Sequence, residues 1–291
     1  MKLLVAIDSS SVSQAAIDQI IARPWPKGTE ARVLNVVDTA GIVGAWRDDA
    51  QQFIEAETKA ASALVASAAD RISSKGIAAR GDVIEGYPST GIVDYAKDWE
   101  ADMIIIGSYG HGAIARFLLG STAKSVTHNA PCSVEIVRNT RKDMRGGMKL
   151  LLATDGSPFS KAAAQSIAAR PWPEGTQVKV ISVVEMAMPA IEPWYGSGEM
   201  VERMRIENSK LAEKWAEAAE KIVSGAGLKT SHVVTGGYAK AAIVDEAREW
   251  NADMVVLGSH GRRGITRLLM GSVSDGVAVH AECSVEVIRE K

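Results

Sequence analysis

Residues 103–110 read Met-Ile-Ile-Ile-Gly-Ser-Tyr-Gly, and residues 254–261 read Met-Val-Val-Leu-Gly-Ser-His-Gly. In both stretches four consecutive apolar residues are followed at once by glycine, serine, one aromatic or histidine residue and a second glycine. A short apolar run bounded by glycine is typical of a strand that is buried on both faces of a sheet. The sequence therefore predicts the same buried strand and the same glycine loop twice in one chain.

The duplication extends over the whole chain of 291 residues. Arg-Pro-Trp-Pro occurs at residues 23–26 and again, 147 positions later, at residues 170–173. Cys-Ser-Val-Glu occurs at residues 132–135 and, 151 positions later, at residues 283–286, so the second copy carries a net insertion of four residues. A repeat of roughly 140 residues exceeds the ~20–50 residues of a solenoid repeat and indicates duplicated domains. We predict a first domain at residues 1–139, a linker at residues 140–147 and a second domain at residues 148–291.

Apolar runs alternate with stretches of helical character in each copy. The order β-α-β-α-β-α-β-α-β, with continuously apolar strands, predicts an α/β fold in which helices cover both faces of a parallel sheet. Sheets of this kind bind ligands beyond the carboxyl ends of their strands. In the first copy the predicted strands are 3–7, 32–37, 78–85, 103–106 and 133–137, and the predicted helices are 11–22, 49–74, 88–99 and 121–129.

Composition excludes several classes of protein. The chain has a net charge of −2, is 46% hydrophobic and 23% charged, which is typical of a globular protein and argues against nucleic acid as its main partner. No apolar run approaches the ~18 residues of a membrane span, and Asp8 interrupts the apolar N-terminus before a signal-peptide core is complete. We therefore expect a cytoplasmic protein that binds neither nucleic acid nor a membrane.

The cysteines and histidines offer no recognisable metal or catalytic motif. Cys132 and Cys283 correspond between the copies, but both begin a predicted buried strand, so we interpret them as packing thiols. No histidine has a histidine at the matching position of the other copy, and we expect all five to be surface or core-edge groups. These are His111, His128, His232, His260 and His280.

The loop after the fourth predicted strand suits a phosphate group. Both copies read Gly-x-x-Gly, nine further residues, and then Gly-Ser, ending at residues 120–121 and 271–272. We expect these glycines to adopt positive φ angles and to leave backbone N–H groups uncovered, so that a phosphate can approach closely. The serines stand where a helix begins, and the positive end of a helix dipole favours an anion. The glycines could instead only turn the chain, but the shared spacing favours the phosphate site.

With these residues the chain resembles a tandem universal stress protein, a member of an adenine-nucleotide-binding α/β family whose signature is this glycine pattern. The resemblance covers both copies and includes Asp8 and Asp155 after the first strand of each copy. It implies two tandem Rossmann-like domains, each with a five-stranded parallel sheet of order 3-2-1-4-5 whose first and fourth strands flank a cleft. The implied ligand is ATP; the residues leave open whether Mg²⁺ accompanies it.

The resemblance also implies which residues contact the nucleotide. Ala6, Asp8 and Val36 would line the adenine and ribose side of the first cleft, and Ala153, Asp155 and Val183 that side of the second. The two aspartates could also serve as general bases or help to hold Mg²⁺, or they could cap a helix and bind the sugar. The positions implied to hold ribose and phosphates are Gly107, Ser108, Gly110, His111, Gly112, Ala113, Gly120, Ser121, Thr122 and Ala123 in the first copy, and Gly258, Ser259, Gly261, Arg262, Arg263, Gly264, Gly271, Ser272, Val273 and Ser274 in the second.

The two glycine loops differ in charge. Arg262 and Arg263 stand where the first loop has His111 and Gly112. Arginine forms charge-assisted hydrogen bonds to phosphate, so we expect the second cleft to bind ATP more tightly than the first.

Three functions remain open from the sequence. The first is a nucleotide-binding sensor or regulator of the stress response, read by a partner protein that the sequence does not identify. The second is a slow ATPase or nucleotide-transferring enzyme, which is disfavoured because neither loop has a Walker A lysine or an evident base. The third is a scaffold with a vestigial cleft. Residues 134–137 and 285–288 form apolar edge strands that need cover, so we predict an internal pseudo-twofold pairing of the copies, and a homodimer is a further option.

Overall fold

Each half of the chain alternates strands and helices in the predicted order. The structure is a computed structural model, and it describes residues 1–39, 50–110, 119–138, 146–185, 198–262 and 270–290. The first half contains β1 (Lys2–Ala6), α1 (Ser11–Ala22), β2 (Glu30–Val37), α2 (Ala50–Ser73), β3 (Ala78–Glu85), α3 (Pro88–Asp98), β4 (Met103–Gly107), α4 (Ser121–Asn129) and β5 (Ser133–Val137). The second half contains β6 (Lys149–Ala153), α5 (Pro158–Ala168), β7 (Gln177–Val184), α6 (Gly198–Ser224), β8 (Lys229–Gly236), α7 (Ala239–Glu249), β9 (Met254–Gly258), α8 (Ser272–His280) and β10 (Ser284–Ile288).

The strand order of each half confirms the predicted fold class. The sheet runs β3-β2-β1-β4-β5 in the first half and β8-β7-β6-β9-β10 in the second, and all pairs within a half are parallel. These are two tandem copies of the order 3-2-1-4-5. Since β1 and β6 lie at the centre of their halves, the strand order reverses beside each of them, at the point where such sheets open a cleft.

The two halves join through their last strands, as the apolar edges predict. Strands β5 and β10 pair antiparallel, with Ile136 opposite Val285 and Val134 opposite Val287, so that the two sheets become one sheet of ten strands. On one face of this sheet a single apolar core, under α3, α4, α7 and α8, runs through both halves. On the other face each half keeps its own core, under α1 and α2 or under α5 and α6.

Two carboxylates meet in the middle of the β5–β10 pair. Glu135 and Glu286 are directly opposite each other in the register, and both are 0% exposed. Arg23 donates to Glu135 at 2.6 Å, and Arg170 donates to Glu286 at 2.7 Å. Because an unpaired buried charge is strongly destabilising, the two arginines make this pairing of strands possible.

The repeated Arg-Pro-Trp-Pro segments supply these arginines. Trp25 packs at the end of α1, where its indole N–H donates to the carbonyl of Ile20 at 2.9 Å. The Arg23 guanidinium lies 4.6 Å from the centre of the Trp25 ring and 5.8 Å from that of Trp172 in the other half. Each segment therefore turns the chain and also carries a cation to the junction of the halves.

A second reciprocal contact ties each half to the other. Arg289, after β10, donates to the carbonyl oxygens of Thr127 and His128 at 3.0 and 2.8 Å, at the end of α4. Arg138, after β5, donates to the carbonyls of Ala278 and Val279 at the end of α8. Cations at helix C-termini satisfy the last carbonyls and interact favourably with the helix dipole.

The two cysteines precede equivalent strands, and neither is exposed. Cys132 is buried, and burial raises the pKa of the Cys283 thiol to about 11, which fits the interpretation of packing thiols. Over the described ranges of the chain, no helix is both long enough and apolar enough to cross a membrane.

Replacement of Arg23 by alanine tests the junction. Arg23→Ala leaves the Glu135 carboxylate buried without its cation, and we expect the free energy of unfolding to fall by about 3–5 kcal/mol. Arg248→Ala is the control, because Arg248 pairs with Asp245 on the exposed surface of α7, where such pairs contribute about 1 kcal/mol or less. Urea denaturation measures both. The combined Arg23→Met and Glu135→Leu variant should recover most of the loss, whereas equal losses in Arg23→Ala and Arg248→Ala would contradict this account.

The same carboxylate predicts a pH dependence of stability. Burial raises the pKa of Glu135 above its ordinary value of 4.5, while Arg23 opposes the rise and Glu286 adds to it. Between 4.5 and the raised pKa, Glu135 holds a proton in the folded chain that it has lost in the unfolded chain. The free energy of unfolding therefore falls as pH rises through this interval. Without Arg23 the pKa of Glu135 rises further, and the interval extends to higher pH. Urea midpoints between about pH 4.5 and pH 7.5 should fall more steeply for Arg23→Ala than for the parent chain. When both chains also carry Glu135→Gln, this difference in slope should disappear. Parallel profiles for Arg23→Ala and the parent chain would refute the role of Glu135 in the pH dependence.

Candidate functional site

The carboxyl ends of the first and fourth strands of each half lie side by side. Ala6, the last residue of β1, is paired with Ile106 of β4 on one side and with Leu34 of β2 on the other. The residues that follow β1 and β4 are therefore brought together at one edge of the sheet. The same holds after β6 and β9 in the second half.

Asp8 faces the glycine loop of the first half. Its Oδ1 accepts hydrogen bonds from the Ser10 backbone N–H at 3.0 Å and from the Ser13 hydroxyl at 2.6 Å, which hold the carboxylate in place. A Cβ atom built on Gly110 would lie 2.5 Å from Asp8 Oδ2. Any side chain at Gly110 would therefore displace either the carboxylate or the loop.

Asp155 repeats this arrangement in the second half. Its Oδ1 accepts from the Ser157 N–H at 3.0 Å, and its Oδ2 accepts from the Arg262 N–H at 2.9 Å. A Cβ atom on Gly261 would lie 2.8 Å from Asp155 Oδ2. In both clefts, therefore, the aspartate that follows the first strand lies close to the second glycine of the Gly-x-x-Gly loop.

We expected the loop glycines to be required for positive φ angles, and this reason is wrong for the loop glycines that the structure describes. Eight described glycines have positive φ angles, and none of them belongs to the Gly-x-x-Gly or Gly-Ser positions of either loop. Gly110 and Gly261 are required by the close approach of a carboxylate. Gly258 is required by the backbone of Phe159, whose carbonyl carbon would lie 2.6 Å from an added Cβ atom.

Backbone hydrogen bonds close each loop on itself. The N–H of Gly120 donates to the carbonyl of Ser108 at 2.7 Å, and the N–H of Gly271 donates to that of Ser259 at 2.8 Å. This contact sets the start of α4 or α8 beside the end of the fourth strand. Ser108 and Ser259 are both buried beneath the loop.

The helices that begin at these loops start at a glycine. Gly120 and Gly271 are the N-cap residues of α4 and α8, and neither supplies a cap, because glycine has no side chain that could accept from the first N–H groups. By contrast, Ser10 and Ser157 cap α1 and α5 at the same edge of the sheet. Uncapped N–H groups at a helix start point toward an anion site, because they and the helix dipole both favour negative charge.

The other predicted residues divide into three groups. Ala6 and Ala153 are buried at strand ends, and Val36 and Val183 are half-buried on the neighbouring strands. Ser121 and Ser272 are exposed, and Thr122 and Val273 are half-buried, at the helix starts. Ala123 and Ser274 point into the body of the protein, where the Ser274 hydroxyl donates to the Gly258 carbonyl at 2.7 Å. The predictions for His111, Gly112, Ala113, Arg263 and Gly264 fall outside the described residues.

Trp215 is a neighbour of the second cleft that the sequence did not reveal. The Arg262 guanidinium carbon lies 4.1 Å from the centre of the Trp215 ring, so this cation packs against the indole. The ring also lies against Gly156, whose φ is +75° and whose Cβ atom, if present, would be 2.4 Å from it. In the first half the matching residues are Ser9 and Leu64. The presence of both Gly156 and Trp215 in the second half is the sequence signal that could have revealed the contact.

One described cavity lies away from both clefts. It measures about 680 Å³ and opens at the amino ends of the strands, between Lys2, Glu30, Lys97 and Asp102. Its walls carry charges of both signs and no glycine loop, so it does not match the predicted site.

Fold and clefts together define a tandem α/β protein with one cleft of the same design in each half. Comparison with known proteins identifies the family: the model of the universal stress protein family matches residues 1–138 and residues 148–289. The chain belongs to the universal stress protein family and contains its domain twice, which confirms the resemblance found in the sequence.

Relatives and solved structures extend along the whole chain. A universal stress protein of Mycolicibacterium smegmatis is 27% identical over 99% of this chain and 97% of its own length. One of Mycobacterium tuberculosis is 30% identical over 85% of this chain and 79% of its own length. The crystal structure of a universal stress protein from Archaeoglobus fulgidus has a TM-score of 0.65 and 20% identity, and covers 99% of this chain and 96% of that one. This last likeness concerns the fold alone.

Substitution of Gly156 tests the contact with Trp215. Gly156→Ala introduces a Cβ atom into the indole ring and also places a side chain at positive φ, whereas Gly28→Ala (φ +77°, open space) does only the latter. We expect Gly28→Ala to cost about 1–2 kcal/mol of stability and Gly156→Ala clearly more. Urea denaturation measures the difference, and Trp215→Leu, which introduces the residue of the first half, should remove it. Equal costs in the two glycine variants would show that the ring does not lie against Gly156.

Proposed function

We propose that this protein binds ATP, one molecule in each cleft, and acts in the stress response as a regulator whose nucleotide occupancy a partner protein reads. The observation that carries the proposal is the uncapped start of α4 and of α8, each held beside a first-strand aspartate by the closed glycine loop. A helix start of this kind suits the phosphates of a nucleotide.

The rest of each cleft suits the nucleoside. Ala6 and Val36 in the first half, and Ala153 and Val183 in the second, offer apolar surface and strand-end backbone groups for a purine. Asp8 and Asp155 lie between that wall and the loop. A carboxylate accepts hydrogen bonds only, so it fits the ribose hydroxyl groups, which donate.

The same aspartates favour binding over hydrolysis. Each accepts hydrogen bonds at Oδ1 from groups of its own half, and such bonds fix the direction of the carboxylate. Among the described residues no cluster of three His, Cys, Asp or Glu could hold a metal ion.

Two valine variants test the site, and each is the matched control of the other. Gly110→Val and Gly261→Val force a side chain against Asp8 or Asp155, so each should lose ATP binding in its own half and keep it in the other. Calorimetry should give two ATP sites in the parent chain, one in each variant and none in the double variant, with thermal melts to verify folding. The mass of the nucleotide that co-purifies with the parent chain should match an adenine nucleotide.

Two results would overturn this proposal. Unchanged stoichiometry in both variants would place the nucleotide elsewhere. Sustained release of phosphate over many turnovers, lost in the double variant, would favour the slow ATPase instead of the regulator.

A further inference from the structure

One histidine–carboxylate contact connects the helix that starts at the first cleft with the helix that starts at the second. His128 lies in the last turn of α4, and Asp275 lies in the first turn of α8. His128 Nε2 is 2.8 Å from Asp275 Oδ1, and both side chains are about one-third exposed. A residue of the first half therefore contacts the turn of α8 that opens at the glycine loop of the second half.

The pair has no counterpart on the other side of the pseudo-twofold axis. The position that matches Asp275 is Lys124, in the first turn of α4, and the position that matches His128 is Val279. The helix start at the first cleft thus carries a cation, and the helix start at the second carries an anion. This difference is independent of Arg262 and Arg263.

An anion in the first turn acts against a second anion at the same place. Asp275 is favourable to α8 when the helix start is empty, but it repels a phosphate that approaches the uncapped N–H groups. A protonated His128 offsets that charge, and a neutral His128 does not. Histidine side chains change their charge between about pH 5 and pH 8.

We propose that His128 is a positioning residue of the second cleft, which it influences through Asp275: its positive charge strengthens phosphate binding at the start of α8. The inference rests on the proposed nucleotide binding and specifies its regulation. The second cleft is then incomplete without the first half, and it binds ATP more tightly at low pH, whereas the first cleft lacks this dependence.

Three cations and one further histidine lie near the pair. On the side of His128, Arg289 donates to the His128 carbonyl, and Lys124 lies one turn earlier on α4. On the side of Asp275, the side chain of Lys240 from α7 lies against Gly276. His280, on α8 itself, contacts the Gly276 carbonyl through Nδ1 at 2.8 Å and is the histidine that requires a control.

The test uses the full-length Gly110→Val chain, in which only the second cleft binds. ATP affinity is measured at about pH 5.5 and pH 8 with His128, with His128→Gln, and with Asp275→Asn. Glutamine keeps a hydrogen-bond donor near the position of Nε2 but carries no charge. Because the phosphates of ATP also titrate, each variant is compared with its parent at the same pH.

We expect the charge of His128 to change the ATP affinity of the second cleft by about two- to five-fold. At pH 5.5 His128→Gln should bind ATP that much more weakly than its parent, and at pH 8 the two should be equal. At pH 8 Asp275→Asn should bind more tightly than its parent by the same factor. In the Gly261→Val chain, which keeps the first cleft, His128→Gln should change nothing, and His280→Asn should be without effect in either background.

The outcomes separate the two proposals. ATP binding in both clefts, with His128→Gln equal to its parent at both pH values, overturns this inference and leaves the proposed function standing. An equal effect of His128→Gln on both clefts also overturns it, because it would reflect a general change of structure. The absence of ATP binding in the parent chain at either pH overturns the proposed function and this inference together.

Discussion

The antiparallel pairing of β5 and β10 places Glu135 directly opposite Glu286, and the rest of the structure is arranged around those two buried carboxylates. Their charge must be compensated, since the desolvation of an unpaired carboxylate would exceed what the strand pairing contributes. Arg23 and Arg170 provide the compensation, at 2.6 and 2.7 Å. Because each arginine lies within two residues of the end of the first helix of its half, the position of α1 and of α5 over the sheet is tied to the junction.

This junction also relates the two clefts to each other. Helices α4 and α8 begin at the glycine loops and end at the junction, where Arg289 and Arg138 of the opposite half bind their last carbonyls. Each helix therefore has one end at a cleft and the other end held by the partner half. The apolar core under α3, α4, α7 and α8 also connects the two clefts, because both halves contribute side chains to it.

The glycine loops follow the fourth strand of each half as predicted, but their glycines are there for a different reason. The pattern located the loops and the helix starts, but we attributed the glycines to positive φ angles. At Gly110 and Gly261 the reason is instead the approach of Asp8 and Asp155. These aspartates lie more than 100 residues from the glycines they contact, so the loop sequence alone contains no information about the contact.

The duplication, the alternation of strands and helices and the glycine loops could be predicted from the sequence, because they follow from local patterns, such as the apolar run 103–106 and the glycine spacing, and both copies repeat them. The strand order was implied by the resemblance to the family. The role of the Arg-Pro-Trp-Pro segments, the contact of Arg262 with Trp215 and the pair of His128 with Asp275 could be seen only in the folded chain. Each of these joins groups that are distant in sequence, and their energies depend on burial and separation in space, which appear only when the chain is folded.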